Sequence, residues 1–270
     1  MEIIDSHCHT SPIWFEPIGT LKNQMKDNNV KKAVLVQFFG VYDNDYLIEQ
    51  MENFPNMFKV AALVDVTSVD ASETLQNLAD RGVNSVRFTA NTRSPGSDPL
   101  EIWKTAEKLN LIATVLGTCE DYASDSFERL IRNVPSLPIV IEHLGGVGAF
   151  FGPGRTTPVI PQKAYDKVLA LNKYENTYMK ITGFGEFCER PRPMPSGTPF
   201  TVIPPVLDQA LEAYGSKRLF WGSDYPPVSA REGYGNAFSV PYNYLKISQS
   251  EKDDIFGTNA LTLWKFKKGD

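Results

Sequence analysis

The sequence is short of the two side chains that most often bind metals or attack substrates. It holds three cysteines (Cys8, Cys119, Cys188) and three histidines (His7, His9, His143) in 270 residues. Three scattered cysteines cannot build a disulfide framework, and a reducing cytoplasm is the expected setting. No apolar run approaches the roughly 18 residues that would suggest a membrane span. The start, Met1-Glu2-Ile3-Ile4-Asp5, lacks a basic segment followed by an apolar one, so no secretory signal is expected. Basic charge is not in excess: 27 Lys and Arg face 32 Asp and Glu, a net charge of −5, which argues against a nucleic-acid partner. Disorder is excluded by 16 Phe, 11 Tyr and 4 Trp in a chain that is 42% hydrophobic.

What is present is an alternation. Short apolar runs occur at residues Ile3–His7, Ala33–Gln37, Val60–Val64, Ser85–Phe88, Ile112–Leu116, Ile139–Glu142, Tyr178–Ile181 and Leu219–Gly222. Most are apolar on both faces, as parallel strands covered by helices are. Amphipathic stretches lie between them, among them Ser72–Arg81, Leu100–Leu109 and Asp125–Val134. Eight strands alternating with helices predict a (β/α)8 barrel, one domain over residues 1–270. A doubly wound open sheet is the alternative, but no Gly-x-Gly-x-x-Gly follows the first strand. Two stretches read as long loops: Gly145–Pro161, rich in glycine, and Glu189–Pro205, with six prolines. Both follow strands, so a barrel places them at the carboxyl-end face where active sites are built.

Each histidine falls at a strand end. In Asp5-Ser6-His7-Cys8-His9, residues two apart on a strand point the same way, so His7 and His9 converge. Such a pair suits one divalent ion or one polar substrate group; hydrogen-bonded structural histidines are the plain alternative. Trp221-Gly222-Ser223-Asp224 ends the last strand on a carboxylate, which in a closed barrel lies beside the first strand. There Asp224 is a candidate metal ligand or general base, against the plain role of a turn former before Tyr225-Pro226. Ile141-Glu142-His143 puts the third histidine at the sixth strand end. Arg87, in an apolar strand, needs an anionic partner, and Arg93 on the following loop offers a second guanidinium for a substrate carboxylate or a solvated charge. Lys180 inside the seventh strand would bind an anion or pair with a carboxylate such as Glu142. Cys119 reads as a small core residue before a thiolate ligand, and Arg190 and Arg192 as loop charges within reach of substrate.

These motifs, with Phe256-Gly-Thr-Asn-Ala260 near the end, resemble the amidohydrolase-related branch of the amidohydrolase superfamily. The resemblance spans essentially the whole chain. It implies a distorted (β/α)8 barrel that hydrolyses, or in some members decarboxylates, at the strand carboxyl ends. It implies metal-ligand or substrate-polarising roles for His7 and His9, a pocket role for His143, and a base or ligand role for Asp224. The sequence departs from metal-rich members in lacking a histidine in Ala113–Glu120 and a bridging lysine or glutamate in Ser85–Thr89. The expectation is therefore at most one divalent ion, zinc or manganese, on His7, His9 and Asp224, or none. The histidine pattern with Arg87 and Arg93 is also similar to the 2-pyrone-4,6-dicarboxylate lactonase group, whose members can work without metal.

The expected function is therefore a hydrolase of a small carboxylated lactone or cyclic ester. Asp224 and His143 would be catalytic, and His7, His9, Arg87 and Arg93 would bind substrate. The expected partner is a small anionic molecule, with no membrane partner and with homo-oligomerisation open. The alternatives are a metal-dependent non-oxidative decarboxylase and a barrel that binds a small acid without turnover.

Overall fold

The structure is a computed structural model that describes residues 2–148, 159–189, 199–200 and 202–267. Eight parallel strands form one sheet in sequence order: β1 Ile3–Cys8, β2 Val30–Val36, β3 Phe58–Ala62, β4 Ser85–Thr89, β5 Ile112–Leu116, β6 Ile139–Ile141, β7 Thr177–Ile181 and β8 Leu219–Trp221. Helices including α1 Ile18–Asp27, α2 Asp45–Asn53, α3 Ala71–Asp80 and α4 Glu101–Lys108 alternate with the strands. This is the (β/α)8 barrel that the alternation predicts. The strands are buried on both faces because helices cover the outside and side chains fill the inside.

The seam between β1 and β8 is closed by the segment that follows β8. The His9 amide donates to the Tyr225 carbonyl at 2.7 Å, and the Asp224 amide to the His7 carbonyl at 2.8 Å. Asp5 fastens the same seam from inside. Its carboxylate accepts from the amides of His7 (3.1 Å) and Ser223 (2.8 Å) and from the Tyr234 hydroxyl (2.8 Å).

The amino end of the barrel is plugged. Ile4, Val34, Val36, Ala61, Ile112, Val140 and Phe220 pack with Ala260, Trp264 and Phe266 from the end of the chain. Asn259, in the Phe256–Ala260 motif, donates to the carbonyls of Ser216 and Leu219 and so pins that segment under β8. With one end filled by apolar side chains, polar residues collect at the other.

Candidate active site

A bulge in β1 aims the first two histidines. Asp5 pairs with Ala33 and Cys8 with Leu35, so three steps on β1 match two on β2. The extra residue changes the parity of the strand. Ile4 joins the apolar plug, yet His7 and His9 also turn inward, with ring centroids 5.0 Å apart. Gly222 makes room for them: a Cβ there would lie 2.6 Å from the Cβ of His7.

Asp224 arrives from beyond β8 with φ of 55°, a left-handed conformation that aspartate tolerates better than most residues. Its Oδ1 lies 3.7 Å from Nε2 of His7 and 3.7 Å from Nε2 of His9. Those gaps exceed a direct hydrogen bond. The three groups offer ligand atoms within 4.8 Å of one another, and the buried Nε2 of His7 has no hydrogen-bond partner among the described residues. His9 is oriented by Nδ1, 2.6 Å from the Val36 carbonyl. A carbonyl only accepts, so Nδ1 carries the proton and Nε2 presents its lone pair. His9 Nε2 and Asp224 Oδ1 offer lone pairs, and with His7 they form a group whose ligand atoms lie close enough to share a single divalent ion.

His143 enters from the end of β6 on an unusual turn. His143, Leu144, Gly145 and Gly146 all have positive φ, from 48° to 72°. Only glycine does this cheaply, so the two non-glycine residues carry strain. Gly146 cannot be replaced without a shift, because a Cβ would lie 2.3 Å from the Gly117 carbonyl oxygen. The turn delivers the His143 ring 5.1 Å from that of His7 and sets its Nδ1 3.2 Å from Glu186 Oε2.

The charges around these groups are paired in two buried sets. Arg231 spans Glu186 at 2.9 Å and Asp224 Oδ2 at 2.6 Å. Arg87 donates to both oxygens of Glu142, at 2.8 Å for its shortest contact, and to the Gln37 carbonyl at 2.9 Å. Glu142 also accepts from the Thr114 hydroxyl. Lys180 reaches Thr114 at 3.4 Å and Nδ1 of His7 at 3.2 Å.

The electrostatics follow from this pairing. Burial would raise the Asp224 carboxyl, but His9, His143 and Arg231 outweigh it and hold the group well below the usual carboxylate range. Burial likewise opposes the Glu142 charge, and Arg87 and Lys180 override it and bring Glu142 down to about 2. His143 is pulled down by burial and, more strongly, up by Glu186, Asp224 and Glu142, so its imidazolium is favoured. His7 is lowered by burial and by the charges of Lys180, His9, His143 and Arg87. Burial lowers Lys180 to about 8 although Glu142 opposes it. The surroundings thus favour the neutral rings of His7 and His9, the ionised carboxylate of Asp224 and the imidazolium of His143.

The structure brings His7, His9, His143 and Asp224 together. Arg87 stands at the same site, but the anion that the sequence assigns to substrate is already supplied by Glu142, which reaches across from the end of β6, two strands away. Arg93 is not brought to the cluster. The loop turns its guanidinium back onto the carbonyls of Ala90 (3.1 Å) and Thr92 (2.7 Å) and onto the Ser126 hydroxyl (2.6 Å). Lys180 meets Glu142 only through Thr114. Cys119 is buried, donates its thiol to the Gly145 carbonyl, and is pushed up to about 12 by burial, as a core residue would be. Arg190, Arg192 and most of both long loops lie outside the described residues. Sequence reasoning passed over Glu186 and Arg231. The usable signal was position: Glu186 follows β7 within a turn, and charged residues just past barrel strands face the site.

Among curated proteins no match was found. Among solved structures the chain resembles a probable 2-pyrone-4,6-dicarboxylic acid hydrolase from Acinetobacter baumannii with citric acid bound, at 21% identity and TM-score 0.73, covering 98% of this chain and 100% of the other. It also resembles an amidohydrolase from Burkholderia multivorans with bound zinc (15% identity, TM-score 0.80, 99% and 100% covered). A third is a dihydroxybenzoic acid decarboxylase from Polaromonas sp. JS666 with bound manganese and the inhibitor 2-nitroresorcinol (15%, TM-score 0.68, 99% and 98%). At such identities the likeness concerns the fold. Residues 4–266 match the amidohydrolase family, and the chain belongs to that family.

Proposed function

We propose that the protein is a hydrolase that opens a small carboxylated lactone or related cyclic ester. The observation that carries this reading is the convergence of Asp224 Oδ1 on Nε2 of both His7 and His9, at 3.7 Å each, with the His143 ring 5.1 Å from that of His7. A water in that gap loses a proton to Asp224 as it attacks the ring carbonyl. Asp224 is held in its ionised form by His9, His143 and Arg231, so it can accept the proton and then pass it on to the departing oxygen as the ring C–O bond breaks. The oxyanion that develops is stabilised by His143 and by a ring N–H of His7. Arg231 holds the other oxygen of Asp224, which keeps Oδ1 turned toward the histidines.

His7, His9 and Asp224 would hold a divalent ion. When bound, such an ion supplies Lewis-acid polarisation of the electrophilic carbonyl.

The anionic character of the substrate rests on Arg87. Nε, Nη1 and Nη2 each make one set of protein contacts, which leaves two of the five N–H donors of a guanidinium for a ligand carboxylate. The solved relatives named for a dicarboxylic acid hydrolase are consistent with this. A pH-indicator screen of carboxylated and neutral lactones, with and without chelator, tests it. Carboxylated rings should open much faster, and Arg87→Met should remove that preference mainly through KM. Equal rates on neutral and carboxylated rings would contradict it.

A second reading, a metal-dependent non-oxidative decarboxylase, is favoured by the same His7, His9 and Asp224 triad and by decarboxylases among the structural relatives. Release of carbon dioxide from hydroxybenzoic acids, abolished by chelator, with no lactone opened, would select it.

A further inference from the structure

We infer that Lys180 is a positioning residue that fixes His7 as a hydrogen-bond donor to the ligand and, by doing so, weakens His7 as a metal ligand. The inference deepens the reading above and rests on it for the identity of the atom that His7 meets.

The geometry sets the direction of each hydrogen bond in a buried chain. Glu142 is a carboxylate and accepts from Arg87 and from the Thr114 hydroxyl. With its proton committed to Glu142, Thr114 offers a lone pair, and Lys180 donates to it at 3.4 Å. The Lys180 ammonium also contacts Nδ1 of His7, at 3.2 Å. An ammonium only donates. Nδ1 must therefore accept, and in a neutral imidazole the ring proton then sits on Nε2. Glu142 Oε1 is the other group near Nδ1, at 3.6 Å, but it already serves Arg87 and Thr114 and lies farther away than Lys180.

His9 is held in the opposite tautomer. Its Nδ1 donates to the Val36 carbonyl, so its Nε2 carries a lone pair. The two rings that face Asp224 are thus not equivalent. His9 offers a lone pair and His7 offers an N–H. The Nε2 of His7 is buried and unpartnered among the described residues, which leaves a donor aimed into the gap by Asp224. That donor meets a carbonyl or oxyanion oxygen without rearrangement. A divalent ion meets it only after the proton leaves Nε2 and Nδ1 turns from Lys180 to Glu142.

The test reads the ring protons directly. Metal-free wild-type protein labelled with nitrogen-15 is examined by long-range proton–nitrogen correlation near neutral pH. Three histidines make the spectrum assignable, with His9→Gln and His143→Gln identifying the remaining ring. His7 should be protonated on Nε2 and His9 on Nδ1. Lys180→Met should move the His7 proton to Nδ1, facing Glu142, and raise affinity for zinc ion, measured by calorimetry, by about ten- to a hundredfold. Lys180→Gln retains a donor and should keep the wild-type pattern. A wild-type His7 protonated on Nδ1 overturns the inference, as does a Lys180→Met ring that stays protonated on Nε2. A ring that flips with no gain in zinc affinity overturns the metal half. The wild-type spectrum decides the tautomer even if Lys180→Met fails to fold. Neither arm needs turnover. A chain that opens no lactone yet shows these ring patterns contradicts the function proposed above and leaves Lys180 in its place.

Discussion

Single residues decide the chemistry through their partners. Glu142 shows this best. Its folded-state pKa is depressed to about 2 from 4.5, so the stability it contributes is fully present above the unfolded value and is lost as pH falls from about 4.5 through about 2. The span is worth about 3 kcal/mol. In Glu142→Gln the charge that balances Arg87 and Lys180 is gone, so the variant should be less stable than wild type at neutral pH. Thermal unfolding across pH should show that deficit shrinking between about pH 5 and pH 2. A deficit that is constant over this range would mean that Glu142 is not ionised in the fold. His7, His9, His143 and Asp224 were legible because rare residues ended apolar runs. Glu142 was visible only as one carboxylate that Lys180 could meet. Arg93 stayed open because a loop charge carries no signal of whether it faces a pocket or its own backbone, and here its guanidinium holds the carbonyls of Ala90 and Thr92.

At the scale of the element, the turn from His143 to Gly146 runs through four consecutive positive φ angles. Four consecutive left-handed residues are held because the glycines pack where nothing larger fits: a Cβ on Gly145 would lie 2.7 Å from a methyl of Val168, and one on Gly146 would strike the Gly117–Thr118 backbone. Gly146→Ala should therefore lower stability by about 3 kcal/mol, combining overpacking with a disfavoured φ. The midpoint of urea unfolding reads this, and a change below about 0.5 kcal/mol would show that the turn relaxes freely. The strand runs were readable to within a few residues, since residues 112–116 match β5 and residues 60–64 are displaced by two from β3. The bulge in β1 was not readable. The period of two brought His7 and His9 to one side, but only the pairing with β2 reveals how Ile4 joins them inside. Glu186 and Arg231 escaped for a related reason. Glu186 lies in the short helix Phe184–Phe187 after β7 and Arg231 beyond β8, and their contact is made between the segments that follow these paired strands, not by any spacing in the sequence.

Across the whole molecule, closure of the barrel and assembly of the site are one event. Asp5 joins the amides of His7 and Ser223 and the Tyr234 hydroxyl in a fully buried position, so it fastens β1 to the segment that carries Asp224. Asp5→Ala leaves three buried donors without that acceptor. The expected cost is about 3 kcal/mol, seen as a fall of roughly 6–12 °C in a single unfolding transition. Loss of turnover without such a fall would separate the seam from the fold and contradict this coupling. The central claim remains the hydrolytic role of the His7, His9, His143 and Asp224 cluster. The most direct measurement compares turnover of a carboxylated lactone by wild type and Asp224→Asn, purified identically and matched by thermal unfolding. The amide keeps the shape but not the basicity, so turnover should fall about a hundredfold to ten-thousandfold with the fold retained. A folded Asp224→Asn enzyme that opens the lactone at near wild-type rate would contradict the claim.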